Sequence, residues 1–502
     1  MINRIKSFQW KSIVIGIVLL FVSQFAVSFI PVQLPNKKML VLAIFSVFLY
    51  FLLTKLRDER SLMRNALVTI LIFGVSVSIT KPVQFGLDEE AHLRTTIRIA
   101  DSGIFSRENE ELNDYSTILS HDSLRNPNAY KGTESWLNVE HKESRFSGKI
   151  IRINNLSLVP AAIGWNVGKI ISNKVFVSYY LGRIFNVLAY LFLVWMAFRI
   201  SKKYKEMIYL LSTFPAFIFI CAGYHYDYLY FGLSLVLVAI FTNICIGNEK
   251  ISKKRILQFQ LTSLLFAFPK FPFILLGSLI AVLPKKFYVD IKDRIFALIS
   301  FVVMVGIAGI YYLNGTIFKH LFGVVSNSAS STGSGSSISF FLKHPLPIFR
   351  TLLDSVYVVI DTISSPISYV TTGSRFLQAM STILFILLFI MITSRLDIKI
   401  STITKRIILL LFTVISLLTI YAISGDARVY TLGNLNVGGV QGRYYYAALL
   451  FLPVIVSEPL NKLLNLADKE STEYPCAFMQ YSIAFLNVLT LGIALYTQIT
   501  KV

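Results

Sequence analysis

The sequence has little charge and few cysteines, and it lacks the glycine motifs that bind nucleotide phosphates. Only 15% of its 502 residues are charged, whereas soluble domains carry roughly 25%. The three cysteines, Cys221, Cys245 and Cys476, are scattered through apolar sequence, so they indicate neither a disulfide framework nor a metal cluster. Neither GxGxxG nor GxxxxGKS/T occurs, which argues against a nucleotide-binding domain.

Apolar sequence is abundant instead. The mean hydropathy is +0.64, 55% of the residues are hydrophobic, and apolar runs near the ~20 residues that span a bilayer recur along the chain. Since lipid offers backbone polar groups no partner, helices are the default spanning structure. We therefore predict an all-α polytopic membrane protein with about thirteen transmembrane helices. The predicted spans are 13–30, 39–54, 65–80, 176–198, 207–222, 228–246, 256–268, 271–284, 295–313, 377–394, 407–423, 444–459 and 479–498.

Two of these spans are short, and one further segment is a weaker candidate. The pair 256–268 and 271–284 fits a hairpin of half the membrane depth, and 156–171 fits a short or re-entrant helix. The predicted number of spans therefore has a margin of about two on either side.

Basic residues outnumber acidic ones and give the chain a net charge of +21. They cluster in short alternating loops: KLRDERSLMR, RISKKYK, NEKISKKR, PKKFYVDIKDR and SRLDIKISTITKR. Cytoplasmic loops of membrane proteins carry such an excess, so topology explains the charge and nucleic acid is not expected as a partner. The same rule places the N-terminus, with Arg4, Lys6 and Lys11, in the cytoplasm, and thirteen spans would place the C-terminus outside.

This topology predicts three large extracytoplasmic segments, at about 81–155, 314–376 and 424–443. We divide the chain into an N-terminal pair of transmembrane helices (1–60), a transmembrane body with these outer segments (61–460), and a cytoplasmic loop with the last transmembrane helix (461–502). Polar chemistry concentrates in the outer segments, whereas a transporter usually places it at mid-membrane. The distribution predicts an active site at the extracytoplasmic surface.

The first candidate segment is Asp88-Glu89-Glu90-Ala91-His92, just beyond a predicted span. A helix that starts near Leu87 would place Asp88 and His92 on one face, with Glu89 beside them. A carboxylate there would serve as general base toward a hydroxyl, or would ligate a divalent cation such as Mg²⁺ or Mn²⁺ together with His92. The alternative is a helix N-cap with surface ion pairs.

Two further candidates lie where apolar spans meet polar sequence. His225 and Asp227 occupy the mouth of two predicted spans, where ionisable groups are expensive and often functional. Tyrosine anchors in an interfacial turn are the alternative. Lys270 lies between two prolines in FAFPKFPF, away from the basic loops. It predicts an anionic ligand such as a lipid-linked phosphate, unless its side chain simply extends to the surface.

The fourth candidate is Arg443 in GGVQGRYYYAALLFLP, where an outer segment enters a span. The preceding glycines let the backbone approach a ligand closely, and a guanidinium binds phosphate or diphosphate in a bidentate manner. A lipid-headgroup anchor is the alternative. The predicted substrate-binding residues are His92, His225, Asp227, Lys270, Gln441, Arg443 and Tyr444.

Taken in order, these segments resemble a known family. An outer DExxH with an amphipathic helix, a span that ends in a Tyr-Asp pair, a PKxP hairpin and a late GxQGRYY are similar to the bacterial predicted membrane proteins of "domain of unknown function 2142". The resemblance runs from about residue 80 to about residue 460, and DExxH and QGRY are its most specific parts. That family is grouped with the GT-C glycosyltransferases.

The resemblance implies a GT-C-like enzyme of the bacterial cytoplasmic membrane with a polyprenyl-phosphate-linked sugar as donor. Transfer would occur on the extracytoplasmic face, to a hydroxyl of a cell-surface polysaccharide, a teichoic-acid-like polymer or a glycolipid. Asp88 would be the catalytic base and Glu89 its helper or alternative, while Arg443 and Lys270 would bind phosphate. A divalent cation, if one is used, would be held by Asp88, Glu89 and His92. A lipid-borne donor needs no nucleotide-binding fold.

Three other functions fit parts of the pattern. A lipid-linked polysaccharide polymerase or ligase shares the multi-span plan but relies on outer-loop arginines and a histidine rather than an acidic triplet. A flippase or transporter of envelope glycolipids would show internal repeats and charges within spans, and the sequence has no clear repeat. A non-enzymatic assembly factor for envelope polymers would tolerate substitution of Asp88.

Overall fold

The structure, a computed structural model, describes residues 10–23, 37–81, 83, 88–111, 137–247, 249–315, 317, 338–364, 375–396, 398, 400–426, 429–431, 433–463 and 473–497. The low-complexity stretch at 326–337, and Arg4 and Lys6 of the predicted cytoplasmic N-terminus, lie outside these residues.

Helices make up most of the described chain. Up to residue 200 they are α1 (Trp10–Val22), α2 (Lys37–Leu53), α3 (Leu62–Thr80), α4 (Glu89–Ser102), α5 (Val159–Ile171) and α6 (Val175–Ile200). The next group is α7 (Lys205–Thr213), α8 (Pro215–Cys221), α9 (Asp227–Gly247), α10 (Lys253–Leu265), α11 (Ser278–Ala281) and α12 (Ile291–Tyr312). The last group is α13 (Ile338–Lys343), α14 (Leu346–Ser364), α15 (Arg375–Thr393), α16 (Thr402–Ser424), α17 (Tyr446–Leu463) and α18 (Glu473–Thr497).

Shorter elements connect these helices. The 3₁₀-helices are Glu59–Ser61, Leu156–Leu158, Phe271–Gly277, Lys285–Phe287 and Gly442–Tyr445. Two antiparallel strands, β1 (Phe105–Glu111) and β2 (Arg145–Ile153), form a ribbon within the predicted first outer segment. Phe105 pairs with Ile153, and the register shifts between Arg107 and Asn109. The sequence analysis did not predict this ribbon.

The protein is an all-α polytopic membrane protein apart from the ribbon, as the sequence predicts. Within the described ranges, seven helices are long and apolar enough to cross a bilayer, at Leu62–Thr80, Val175–Ile200, Asp227–Cys245, Ile291–Tyr312, Thr402–Ser424, Gly442–Leu463 and Cys476–Leu495. Shorter apolar helices lie at Trp10–Val22, Leu156–Ile171, Phe271–Ala281 and Gln378–Thr393. Every predicted span overlaps a helix or, for 207–222, the pair α7 and α8.

The break between α7 and α8 has a local cause. Phe214 is extended (φ −64°, ψ 132°) and Pro215 opens α8. A proline disfavours the helical conformation of the residue before it. The break lies deep inside the protein, where α7 and α8 are buried against α9. In the apolar stretch of α9, 94% of the residues are buried. These three helices form the centre of the bundle.

Three of the five basic loops lie together at one end of the bundle. Asn243, near the end of α9, bonds to the Ile200 carbonyl oxygen (2.7 Å) and accepts from the Lys202 amide (3.0 Å). Ile251 forms a backbone bridge with Tyr288, which joins the loops after α9 and α11. Since α9 runs from Asp227 toward Asn243, a rise of about 1.5 Å per residue puts Asp227 at the opposite end.

The N-terminal pair and the last helix pack together beside α3. Asn65 of α3 donates to Gln480 of α18 (2.5 Å), and Ser76 of α3 donates to Ser46 of α2 (2.7 Å). A side chain at Gly492 of α18 would collide with Ser23 at the end of α1. The helices α1, α2 and α18 therefore pack as one unit with α3, although they come from the two ends of the chain. The predicted domain boundaries at 60 and 461 stay predictions.

Candidate active site

Four helix ends meet at the end of the bundle opposite the basic loops. Asp88 immediately precedes α4, and Asp227 is the first residue of α9. Lys270 precedes the 3₁₀-helix Phe271–Gly277, and Arg443 lies in the 3₁₀-helix Gly442–Tyr445. The structure thus brings together residues that the sequence spreads over most of the chain.

Asp227 is the centre of this cluster. Its carboxylate is fully buried, with Oδ1 2.8 Å from Nζ of Lys270 and Oδ2 2.9 Å from Nε of Arg443. Nδ1 of His225 lies 3.5 Å from Oδ2 and accepts the Asp227 backbone N–H at 3.1 Å. Buried charges are stable only when they are paired. Asp227 therefore fixes two buried cations side by side at one point of the site.

Asp88 differs from Asp227 because its side chain is 56% exposed. Nη2 of Arg443 lies 3.3 Å from its Oδ2, so Arg443 touches both acids. Asp88 has a φ of +60° and is, within the described ranges, the one non-glycine residue with a positive φ. Its side chain makes no capping bond to α4, which argues against a simple N-cap. Such uncommon backbone angles occur often at functional sites.

Glu89 points away from this cluster into the protein. Nε and Nη2 of Arg183 lie 2.9 and 3.0 Å from its two oxygens, and the Tyr224 amide donates to Oε1 at 3.1 Å. Burial raises the pKa of Glu89, but the charges of Arg183 and Lys81 and the hydrogen bonds to the carboxylate outweigh it, and the net direction is downward. A buried carboxylate with a lowered pKa is a weak base. This geometry disfavours the role of helper or alternative base predicted for Glu89.

Two histidines lie beside Asp88. The rings of His92 and His225 meet edge to face with centroids 4.6 Å apart, and His92 also lies 4.5 Å from the Tyr226 ring. Burial lowers the pKa of His92 to about 4, so its imidazole is neutral at pH 7. One ligand atom from each of Asp88, His92 and His225 lies within 4.8 Å of the others. These three residues, rather than the predicted set with Glu89, are therefore placed to hold a cation.

Lys270 lies against tyrosine rings instead of extending to the surface. Its Nζ is 4.0 Å from the centre of the Tyr444 ring and 4.8 Å from that of Tyr230. Ammonium groups are attracted to such ring faces. The Tyr230 hydroxyl donates to the Tyr444 carbonyl oxygen (2.7 Å) and accepts the Ala447 amide (3.1 Å), which fixes the start of α17. The alternative of a snorkelling lysine does not fit this geometry.

The QGRY segment is held in place by α14. Gly442 packs against the Val358 carbonyl oxygen and Thr362 Oγ1, and the hydroxyls of Ser355 and Tyr445 are in contact. Gln441 is half-buried, and its carbonyl oxygen accepts the Tyr444 amide at 3.0 Å. Position 442 therefore requires glycine because a side chain there would collide with α14. This requirement is separate from an approach of the backbone to a ligand.

Replacing Gly442 with alanine is expected to destabilise the protein by about 1–3 kcal/mol, because the new methyl group overlaps α14 and pushes Arg443 out of position. Thermal unfolding of the detergent-solubilised protein measures this change. Gly306→Ala is the matched control, since nothing lies within 4 Å of the Cβ it would add. Equal melting temperatures for the two variants would contradict the assigned contact.

Arg183 is the important site neighbour that the sequence analysis missed. It is fully buried and also donates to the backbone carbonyl oxygens of Ser78 (3.1 Å) and Lys81 (2.9 Å). An arginine eight residues into an apolar span is a signal in itself, because charges there are rare and have a partner. Its pairing with Glu89 fixes the start of α4 against α6 and so positions Asp88.

Comparisons with known proteins bear on the family of the chain. The family model described as "Predicted membrane protein (DUF2142)" matches residues 71–452, which include every residue of the cluster. No curated protein and no solved structure matches the chain.

Proposed function

We propose, from the premise that the chain belongs to the DUF2142 family of predicted membrane proteins, that it is a GT-C-type glycosyltransferase. It moves a sugar from a polyprenyl-phosphate donor to a hydroxyl of a cell-surface glycan or glycolipid. The observation that carries this proposal is an exposed carboxylate, Asp88, beside two buried cations, Arg443 and Lys270, that a third residue, Asp227, holds in place.

The arrangement fits the charge changes of glycosyl transfer. An acceptor hydroxyl is a poor nucleophile, and Asp88 takes its proton as the oxygen attacks the anomeric carbon. The bond from that carbon to the phosphate oxygen breaks, and polyprenyl phosphate leaves with the bonding electrons. Arg443 and Lys270 stabilise the negative charge that develops on the phosphate. Asp227 keeps both cations fixed before the reaction, so little reorganisation is needed.

The location of the cluster supports transfer on the extracytoplasmic face. Three of the basic loops lie together at the other end of the bundle, and such loops stay in the cytoplasm. By that rule Asp88 faces outward from the bacterial plasma membrane, where polyprenyl-linked sugars and envelope acceptors meet. A donor that the bilayer carries requires no nucleotide-binding domain.

The test is the envelope glycan composition of cells that carry Asp88→Asn, compared with wild type and with a gene deletion at matched protein levels. We expect Asp88→Asn to lose the same sugar as the deletion, since removal of a general base slows transfer by about 100-fold or more. Asp354→Asn is the matched control, because Asp354 is exposed on α14 outside the cluster.

If Asp88→Asn behaves as wild type while the deletion loses a sugar, the general-base proposal is wrong. A flippase or an assembly factor would then account for the deletion phenotype. A polymerase or ligase would instead change the length or attachment of the glycan and leave its sugar composition unchanged. The composition and the chain length of the glycan, measured together, therefore separate the three outcomes.

A further inference from the structure

We infer that Asp88, His92 and His225 form a three-ligand site for a divalent transition-metal ion of the zinc class. The inference deepens the proposed function, on which its catalytic meaning rests. The site differs from the cation site that the sequence predicts, because His225 takes the place of Glu89.

The three residues come together through local and long-range geometry. Asp88 and His92 are one helical turn apart, and positions i and i+4 share a face. His225 arrives from the turn before α9, and its ring meets the His92 ring with centroids 4.6 Å apart. Ligand atoms of the three residues already lie within 4.8 Å of one another. Small side-chain rotations suffice to reach metal–ligand distances of about 2.0–2.2 Å.

Two buried ring nitrogens point to a ligand. Nε2 of His92 and Nε2 of His225 are inaccessible to solvent and have no hydrogen-bond partner within the described part of the chain. The His225 side chain as a whole is only 6% exposed. Buried polar atoms almost always have a partner, and each exception needs an explanation. A shared metal ion would satisfy both nitrogens at once.

The surroundings of His225 match those of a metal-bound histidine. Such histidines usually donate their other ring nitrogen to a carboxylate, which fixes the tautomer. Nδ1 of His225 lies 3.5 Å from Oδ2 of Asp227. In the metal-bound state Nδ1 would carry the proton and donate to the Asp227 carboxylate instead of accepting the Asp227 backbone N–H, and Nε2 would present its lone pair. Lys270 and Arg443 hold Asp227 in place from the other side.

The donor set selects the class of metal. Two imidazole nitrogens and one carboxylate suit zinc and its transition-metal neighbours, whereas Mg²⁺ prefers oxygen ligands. Glu89 is not available, because Arg183 occupies both of its oxygens. Three protein ligands leave at least one position open, as in catalytic zinc sites. A phosphate oxygen of the donor or the acceptor hydroxyl would fill that position. Asp88 would bind the ion through one carboxylate oxygen and take the acceptor proton with the other.

The test is a Co²⁺ titration of the full-length protein in detergent after removal of metals with a chelator. Bound Co²⁺ is followed by its visible absorption, and Zn²⁺ is then added as a competitor. We expect saturable binding of a single ion per chain that Zn²⁺ displaces. His92→Gln and His225→Gln should each weaken it by at least about tenfold. His344→Gln is the matched control, since His344 is exposed and outside the site.

Two results would overturn the inference: no saturable absorption, or the same affinity in the two site variants as in the control. Melting temperatures of the metal-free proteins show whether each variant is folded, and if one is not, the other carries the test. A protein that binds no metal while Asp88→Asn still removes a sugar refutes this inference alone. Metal binding without any glycan change in Asp88→Asn refutes the proposed function alone.

Discussion

Replacing Glu89 with alanine is expected to destabilise the protein by about 3–5 kcal/mol, because it leaves a buried cation without its partner. The Arg183 and Glu89 side chains are 0% and 1% exposed, and Lys81 is buried nearby. Arg183 would keep its bonds to the backbone at Ser78 and Lys81 but lose both bonds to a carboxylate. The variant should therefore accumulate poorly in membranes and melt at a lower temperature in detergent.

The neighbouring residue supplies the control. Asp88→Ala removes a carboxylate one position earlier in the chain, but from a side chain that is 56% exposed. Alanine adopts the positive φ of Asp88 at a cost of about 1–2 kcal/mol, which is still below the loss expected for Glu89→Ala. We expect Asp88→Ala to fold and to lose transfer, and Glu89→Ala to lose the fold. A Glu89→Ala protein that is as stable as wild type would show that Arg183 is not held by Glu89.

A double substitution separates the contribution of the Glu89–Arg183 ion pair from that of side-chain packing. Glu89→Leu combined with Arg183→Met removes both charges and keeps similar volumes. Replacing a buried ion pair by apolar residues is often neutral or stabilising, whereas removing one partner is strongly destabilising. The double variant should therefore melt at a higher temperature than Glu89→Ala. A lower melting temperature for the double variant would mean that the pair contributes packing that apolar side chains do not replace.

Replacing Asp227 with asparagine is expected to abolish transfer and to destabilise the protein by about 3–5 kcal/mol. Lys270 and Arg443 would then lie beside each other, both nearly buried, without the carboxylate that separates their charges. The measurements are the melting temperature in detergent and the envelope glycan composition. Asp354→Asn, on the exposed side of α14, should leave both unchanged.

Lys270→Met tests whether the destabilisation expected for Asp227→Asn comes from the loss of its charge. Because Lys270 and Asp227 are in contact, their substitutions should not be additive. We expect Asp227→Asn with Lys270→Met to be more stable than Asp227→Asn alone, while transfer stays lost in both. If the two substitutions simply add, Asp227 acts through packing rather than through its charge.

The positions of the helices were largely predictable, but the function of each carboxylate in the acidic triplet was not. Apolar runs mark the spans because burial in lipid requires them. Asp88 and Glu89 are adjacent in sequence and chemically alike, so local pattern does not distinguish them. Their difference comes from Arg183, far along the chain, which takes Glu89 into the interior.

The helix α14 is a second feature that local sequence pattern did not predict. The segment 314–376 was predicted as an outer segment with a low-complexity stretch, and the helix α14 lies within it. In α14, Leu353 and Tyr357 are 76% and 71% exposed, whereas Thr351 is buried. The glycines before Arg443 predicted a close approach of the backbone to a ligand. In the structure Gly442 lies against α14, and only the assembled fold reveals that contact.

The position of the partners along the chain also sets an order of assembly during synthesis. Proteins are made from the N-terminus, and early segments fold before later ones exist. Asp227 and Lys270 are both made well before Arg443, so their opposite charges can pair with each other first. Arg443 is made much later and joins a pair that already exists. A ribosome-bound or truncated chain that ends before QGRY therefore holds Asp227 and Lys270 but lacks Arg443, so its site is incomplete.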